Sequence, residues 1–455
     1  DHEYHIDDFL RYSIFILYNY FQRSHDPPSR HIELIFYMIF NIIRKHGIPY
    51  FLGKSIPGLI GIISVPVFVR LYGFEQYGQI ILFLTAANMV TVFSCGWLGQ
   101  SWIRFQPTKH NLGEIKKASL LAILIGLLFG TFSMLFMYLT DFSFNGKFYF
   151  PLIVYYVVIV AMIIFYIVHA GLQAVFQSKA VMKISIFLSS FSFVFPVSMY
   201  FFNESISAFL LAYGIAYFMA AFIGIGILLR SLPDQYTTQQ STYGWLKYGF
   251  PLAIWMTLQA GIPYIQRVLI KQFLGFEYVG KFSALSELII RAFSLLVFPL
   301  TMALQPILMK LWNQNKKLDA IKLWRKSLHI LLWVFCFIGL LFLGVNGWIV
   351  DFTLSILGVT LKQPLFVISL LSLSGFIWQS NLLLHKPIEL QKETIKMVGA
   401  MIISIGIIII LNILWLNQFQ LVGAAGAASI GAIVYTVIVG MYNRKILQQI
   451  GYKKP

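Results

Sequence analysis

The residues best placed to do chemistry are charges set within apolar sequence. Arg291 lies deep in an apolar run, and Glu287 precedes it by one helical turn. Ser283, Glu287, Arg291 and Ser294 follow the spacing i, i+4, i+8, i+11, so a helix places all four on one face. A charge at the centre of a bilayer costs about 2.5–3.5 kcal/mol on insertion scales, and such groups face a bundle interior or a wet cavity. Two readings stand side by side. Arg291 meets an anionic group of a substrate, or Glu287 neutralises it as an internal ion pair.

Other polar groups join this stripe. Around residues 248–271, Thr257, Gly261, Tyr264 and Lys271 share a face, with Gln266 and Arg267 one turn before Lys271. Gly261 and Pro263 are expected to break that helix, as helices of transporters break near a site. The plainer alternative is a kink with basic ends that snorkel to the surface. Over 48–69, Lys54 stands early and Arg70 follows the run, while Pro57, Gly58, Gly61 and Pro66 suggest a bendable helix. Thr85, Asn88, Thr91 and Ser94 recur at three-residue spacing, a pattern that small residues also use for helix packing. His169 and Gln173 close another run; a lone histidine there is more often structural than a proton relay. The cavity candidates are thus Lys54, Arg70, Arg267, Lys271 and Arg291 for an anionic head group, with Asn88, Gln266, Ser283, Glu287 and Ser294 as neutral or ion-pair lining.

No HExxH, GxSxG or P-loop pattern occurs, so no catalytic residue is assigned. Cys95 and Cys336 sit in apolar runs and read as buried hydrophobes. The opening Asp1-His2-Glu3-Tyr4-His5 lacks metal-ligand spacing, and no metal or cofactor is expected. Without a Walker motif, transport is not expected to run on the chain's own ATP hydrolysis, and coupling to a proton or sodium gradient is the open alternative.

The elements that must position these groups follow from composition. Of the 455 residues, 58% are hydrophobic and 11% charged, with a mean hydropathy of +0.77; soluble domains carry about 25% charged residues. The surface must meet lipid. Runs long enough to span occur near 48–69, 79–102, 118–140, 149–170, 184–202, 207–229, 248–271, 281–305, 328–346, 363–385, 395–416 and 420–441. A weaker run at 348–358 reads as re-entrant or interfacial. The fold class is therefore an all-α integral membrane protein of about 12 transmembrane helices. The net charge of +17 suggests basic cytoplasmic loops rather than nucleic acid. Most Lys and Arg fall in alternate connections, such as Arg104 to Lys117, Lys179 to Lys183, Lys310 to Lys326, and Lys386 to Lys396. Both termini are accordingly expected in the cytoplasm. Residues 1–45 form an N-terminal extension; 1–37 read either as interfacial or as sequence upstream of a natural start near Met38.

One pattern repeats. Gly73-Phe74-Glu75-Gln76-Tyr77-Gly78 returns as Gly275-Phe276-Glu277-Tyr278-Val279-Gly280, each copy preceded by a basic residue, Arg70 and Lys271. Six spans separate the copies, an even number, so both lie on one external side. This predicts two parallel six-helix repeats, 46–235 and 236–455, around a central cavity at their interface.

On these features the chain resembles the polysaccharide transporter family, the O-antigen and capsule flippases of the multidrug/oligosaccharidyl-lipid/polysaccharide flippase superfamily. The stretches that carry the resemblance are Ile56-Pro57-Gly58 through Tyr77-Gly78, Tyr248-Gly249-Phe250-Pro251-Leu252 through Gly275, and Leu421-Val422-Gly423-Ala424-Ala425-Gly426-Ala427-Ala428. The chain departs from the family at Gln266, where members often carry an acidic residue. The resemblance implies a flippase of the bacterial cytoplasmic membrane that moves a polyprenyl-pyrophosphate-linked oligosaccharide outward by alternating access. Its implied partners are that lipid-linked substrate, membrane lipids and other polysaccharide-assembly membrane proteins. A cation-coupled multidrug exporter of the same superfamily is the alternative, although it would favour interior carboxylates over interior cations. A membrane polysaccharide polymerase or ligase is a third reading, expected to carry a long external loop.

Overall fold

A computed structural model describes residues 48–139, 149–234, 241–361, 363–391 and 393–450. The expected extension over 1–45, the boundary at 235/236, and Lys147, Lys362 and Lys392 lie outside those residues. The chain runs through α1 (Ile48–Phe105), α2 (Leu112–Leu139), α3 (Tyr149–Ala174), α4 (Ser178–Tyr200), α5 (Ile206–Ser231) and α6 (Thr242–Leu274). It continues through α7 (Phe276–Asn313), α8 (Lys317–Leu357), α9 (Pro364–Leu384), the short α10 (Lys386–Leu390) and α11 (Thr394–Gln449). No strand occurs among the described residues.

Helix α1 leaves helical geometry at Gly73, and α11 does so at Gln420. Each is therefore two antiparallel limbs joined by a minimal turn. With the limbs counted singly, the described residues hold twelve helices of membrane-crossing length, six before the 235–240 segment and six after it. Seven of the elements, α1 and α11 among them, are also apolar enough to cross a membrane by composition. Helices α6 and α7 fall outside that criterion and carry Arg267, Glu287 and Arg291. A span can hold such charges only by turning them away from lipid.

Two local expectations change. The run 348–358 is no separate re-entrant piece. It is the end of α8, which continues unbroken from Lys317 because nothing in Lys317–Leu357 is a proline. Gly358 then stops the helix in the left-handed region (φ 65°), its N–H bonding the Leu354 carbonyl. Likewise, Gly261 and Pro263 do not break α6, which holds both Pro251 and Pro263 within one helix. Packing against neighbouring helices preserves the helical path despite each missing N–H.

The repeated G-F-E-x-x-G segments explain the two tightest turns. Gly73 has φ 71° and ψ 168°, and Gly275 has φ 91° and ψ 175°. Both occupy one region that side-chain-bearing residues avoid, so the sequence repeat is also a conformational repeat. The last glycine of each copy has a different task. A methyl group on Gly78 would overlap the Phe276 carbonyl oxygen, and one on Gly280 would overlap the Phe74 carbonyl oxygen. Each turn thus rests its own glycine on the other's backbone. The contact is reciprocal, as a pseudo-twofold axis between like halves requires.

Close packing between the halves continues away from this glycine-turn face. The second limb of α1 runs antiparallel to α6. Gly249 abuts the Trp97 carbonyl, the Ser101 hydroxyl donates to the Trp245 carbonyl, and Gly96 faces Ala253. The first limb of α1 runs antiparallel to α7, with Gly58 against Leu295. The Gly/Ala-rich stretch after Gln420 works the same way in the second half. Ala424, Ala425, Ala427 and Ala428 are buried, and Ser429 donates to the Leu370 carbonyl of α9 at 2.7 Å. Small residues let helices approach where lipid supplies no hydrophobic drive.

Candidate functional site

A cavity of about 460 Å³ opens between α1, α3, α4 and α5, and is walled on one side by α6 and α7. It reaches the seam between the halves, but most of its walls belong to the first six-helix unit. The second unit contributes Arg267, Glu287 and Arg291 to one wall.

Those three residues form a single cluster. Arg267, only 2% exposed, donates from Nη2 to Glu287 Oε1 at 2.9 Å, from Nε to Ser283 Oγ at 2.9 Å and from Nη1 to Thr85 Oγ1 at 3.0 Å. The Thr85 hydroxyl passes its own proton to the Ile81 carbonyl. Arg267 therefore joins the second limb of α1 to α7 across the seam between the halves, with one bond from each of its three guanidinium nitrogens. Arg291 donates from Nε to Glu287 Oε2 at 3.2 Å, and its Nη2 lies 3.2 Å from the same oxygen. Its remaining nitrogen, Nη1, lies over Gly61, where a methyl group would collide with it. Here Gly61 supplies room for a guanidinium rather than an unusual dihedral. Two guanidinium groups share one carboxylate, so the cluster carries one positive charge in excess. Glu287 and Arg291 thus form the internal ion pair that their spacing suggested, and Arg291 lines the cavity as well.

The cavity reaches other residues singled out by the sequence. Lys54 stands at the end toward the start of α1, and Asn88 lines the wall from the second limb. His169 also lines it, with Nε2 3.3 Å from Ser185 Oγ. Toward the glycine-turn face the space ends in aromatic rings: Phe68 meets Phe193 at 5.9 Å and Phe209 at 5.0 Å between centroids. Behind them Tyr72 donates to the Pro196 carbonyl at 3.2 Å.

Five candidates stand elsewhere. Gln266 turns into the second half, where its amide donates to the Ala424 carbonyl at 3.4 Å. Ser283 does not line the space; it is buried behind it as an acceptor for Arg267. Lys271 lies near the glycine turn, 5.8 Å from the Phe276 ring, and Arg70 is exposed at the same end of α1. Ser294, one turn beyond Arg291, lies outside the lining. The cavity is shorter than the stripe that helical spacing marked, and it ends before Ser294.

Other lining residues went unmarked in the sequence. Ser185, Ser189 and Ser192 of α4 and Tyr213 and Tyr217 of α5 face the space. Their spacings, i, i+4, i+7 and i, i+4, were visible signals, but an isolated polar stripe in a span does not say which neighbour it meets.

Among the described residues no group of three His, Cys, Asp or Glu is placed to hold a metal ion. No curated protein matches the chain by sequence. Solved structures share its fold at low identity. The MATE multidrug transporter DinF-BH aligns with a TM-score of 0.65 at 14% identity, over 91% of this chain and 97% of that one. An inward-facing multidrug resistance MATE family transporter of the MOP superfamily gives 0.63 at 11%, over 89% and 100%. The lipid II flippase MurJ in an inward closed conformation gives 0.63 at 16%, over 89% and 90%. The profile of the polysaccharide biosynthesis protein family matches residues 43–312, well over half of the 455 and including the whole cavity wall. The chain is a multi-spanning membrane protein with the MATE- and MurJ-like transporter fold, and it belongs to the polysaccharide biosynthesis protein family.

Proposed function

We propose that this protein is a flippase for a polyprenyl-pyrophosphate-linked oligosaccharide, carrying it from the cytoplasmic to the external leaflet of the bacterial cytoplasmic membrane by alternating access. The observation that carries this reading is the Arg267–Glu287–Arg291 cluster, which presents a surplus positive charge to a polar-lined cavity at the seam between two like halves. A pyrophosphate is an anion that such a guanidinium can hold with charge-assisted hydrogen bonds. The polyprenyl tail can stay in lipid while the head group enters. In this reading the Lys54 end of the cavity faces the cytoplasm, as both termini do, which the excess of Lys and Arg in alternate connections supports. The glycine turns then face outward, and their reciprocal contact seals that side. A proton or sodium gradient supplies the energy.

The exporter reading fits the fold equally well, since two of the similar structures are multidrug transporters. The cavity wall argues against it. Glu287 is the one carboxylate among the described lining residues, and two arginines already hold it. A cationic drug would find no available counter-charge there.

The test is Arg291→Ala in a strain lacking its own copy of the transporter. Surface polysaccharide should fall to background while lipid-linked repeat units accumulate inside and membrane insertion persists. Arg291→Lys should restore part of the transport. Normal surface polysaccharide in Arg291→Ala would remove the cluster from the substrate path, and drug accumulation without glycolipid accumulation would favour the exporter.

A further inference from the structure

We infer that the α4–α5 wall of this cavity is a subsite for an uncharged sugar ring, and that it discriminates against acidic sugars. This rests on the reading above, in which Arg291 takes the pyrophosphate. The argument turns on where the hydroxyl protons point. The Ser189 hydroxyl donates to the Ile186 carbonyl at 2.9 Å, and the Ser192 hydroxyl donates to the Ser189 carbonyl at 3.1 Å. On the facing limb of α1, Ser64 donates to the Gly61 carbonyl at 2.9 Å. A hydroxyl has one proton and two lone pairs. With the proton spent on its own helix, each serine shows the cavity only acceptors.

Sugar hydroxyls are donors and match such a wall. A carboxylate or phosphate is acceptor-only when ionised, and here it would face lone pairs. The cationic groups of the cavity are placed elsewhere: each guanidinium nitrogen of Arg267 holds a protein partner, Arg291 is claimed by Glu287 and the pyrophosphate, and Lys54 stands at the opposite end of the space from Phe193 and Phe209. An anionic ring would therefore be desolvated without compensation. The aromatic side completes the match. The Tyr213 and Tyr217 rings lie 5.2 Å apart on α5, and Phe193 and Phe209 close the end of the space. The C–H faces of a pyranose pack on such rings while its rim hydroxyls reach the serines. The volume of about 460 Å³ lies within the range of small-molecule pockets.

The experiment uses the full-length protein in lipid nanodiscs and three probes: farnesyl pyrophosphate, the same pyrophosphate carrying glucose, and the same carrying glucuronic acid. Binding is read by tryptophan fluorescence as the ratio of each sugar probe's affinity to that of the bare pyrophosphate. The glucose ratio should be about tenfold and the glucuronic acid ratio near one. In Ser189→Val/Ser192→Val the glucose ratio should collapse toward one; in Arg291→Ala both affinities should fall with the ratio kept. A glucuronic acid ratio equal to or above that of glucose overturns the subsite, as does a glucose ratio that survives in the serine variant. Those outcomes leave the flippase reading standing. If no pyrophosphate probe binds, or Arg291→Ala binds them all unchanged, the flippase reading fails and the subsite with it.

Discussion

The two six-helix units share a frame but not an interior. In the first, α3, α4 and α5 line an open space with serines, tyrosines and His169. In the second, the described side chains of α6, α9 and α11 close on each other. Trp255 donates to Tyr435 at 3.3 Å and meets the His385 ring edge-on at 5.1 Å, while Trp378 packs on Tyr435 at 5.5 Å. His169 and His385 sit in comparable places, each at the basic end of its unit. One looks into a cavity, and the other is buried against the Trp255 indole and the Tyr435 phenol. The lesson is a division of labour. Both units supply the turn and the seam, whereas one supplies most of the container with Lys54 and the other supplies the Arg267–Glu287–Arg291 cluster.

The strongest way to break that picture is Arg267→Met. It removes the guanidinium that ties Thr85 to Ser283 and Glu287 across the seam. Breaking a buried ion pair costs about 3–5 kcal/mol, so thermal unfolding in detergent should shift strongly downward; an unchanged midpoint would show that the seam does not depend on it. Next come the glycines of the turns. Gly78→Ala and Gly280→Ala each force a methyl into a carbonyl of the other unit, and overpacking of this kind costs about 1–3 kcal/mol. If the contact is a true pseudo-twofold, the two variants should be impaired alike. Both should increase reagent access to a cysteine placed at Phe74, read by labelling in intact cells; only one responding would break the symmetry.

Gly61→Ala should act more narrowly. The atoms nearest its methyl all belong to the Arg291 side chain, so transport should fall severalfold while the unfolding midpoint moves little. Equal loss of folding and transport would make Gly61 a packing residue alone. The smallest effect is expected for Arg70→Ala, exposed at the glycine-turn end and away from the cavity. Exposed substitutions usually change stability by less than about 0.5 kcal/mol, and glycolipid transport should stay near wild type. A large transport defect would bring the outer end of α1 back into the site.

Much of this was legible before any coordinates. The run lengths marked the spans, and the G-F-E-x-x-G copies marked the parallel repeat, because both are local patterns. Arg291 and Glu287 were legible as a pair, because i, i+4 spacing on a helix fixes a neighbour. Arg267 was legible as an interior cation but not as a clamp. Its partners Thr85 and Glu287 lie 182 and 20 positions away, and only the seam brings them together. Gln266 shows the converse: one residue from Arg267, it turns away from the seam toward α11 of its own unit, since adjacent helical residues point about 100° apart.

That the chain spans a membrane many times, in two like halves with a basic interior, is written in its residues. Hydropathy, repetition and the high cost of charge in hydrocarbon act residue by residue, so they can be read in one dimension. Which half is hollow, which cations line the space, and that Ser189 and Ser192 beside it bond back to their own helix emerge only in three dimensions. Such properties belong to gaps between helices, and a gap is set by what both neighbours leave unfilled.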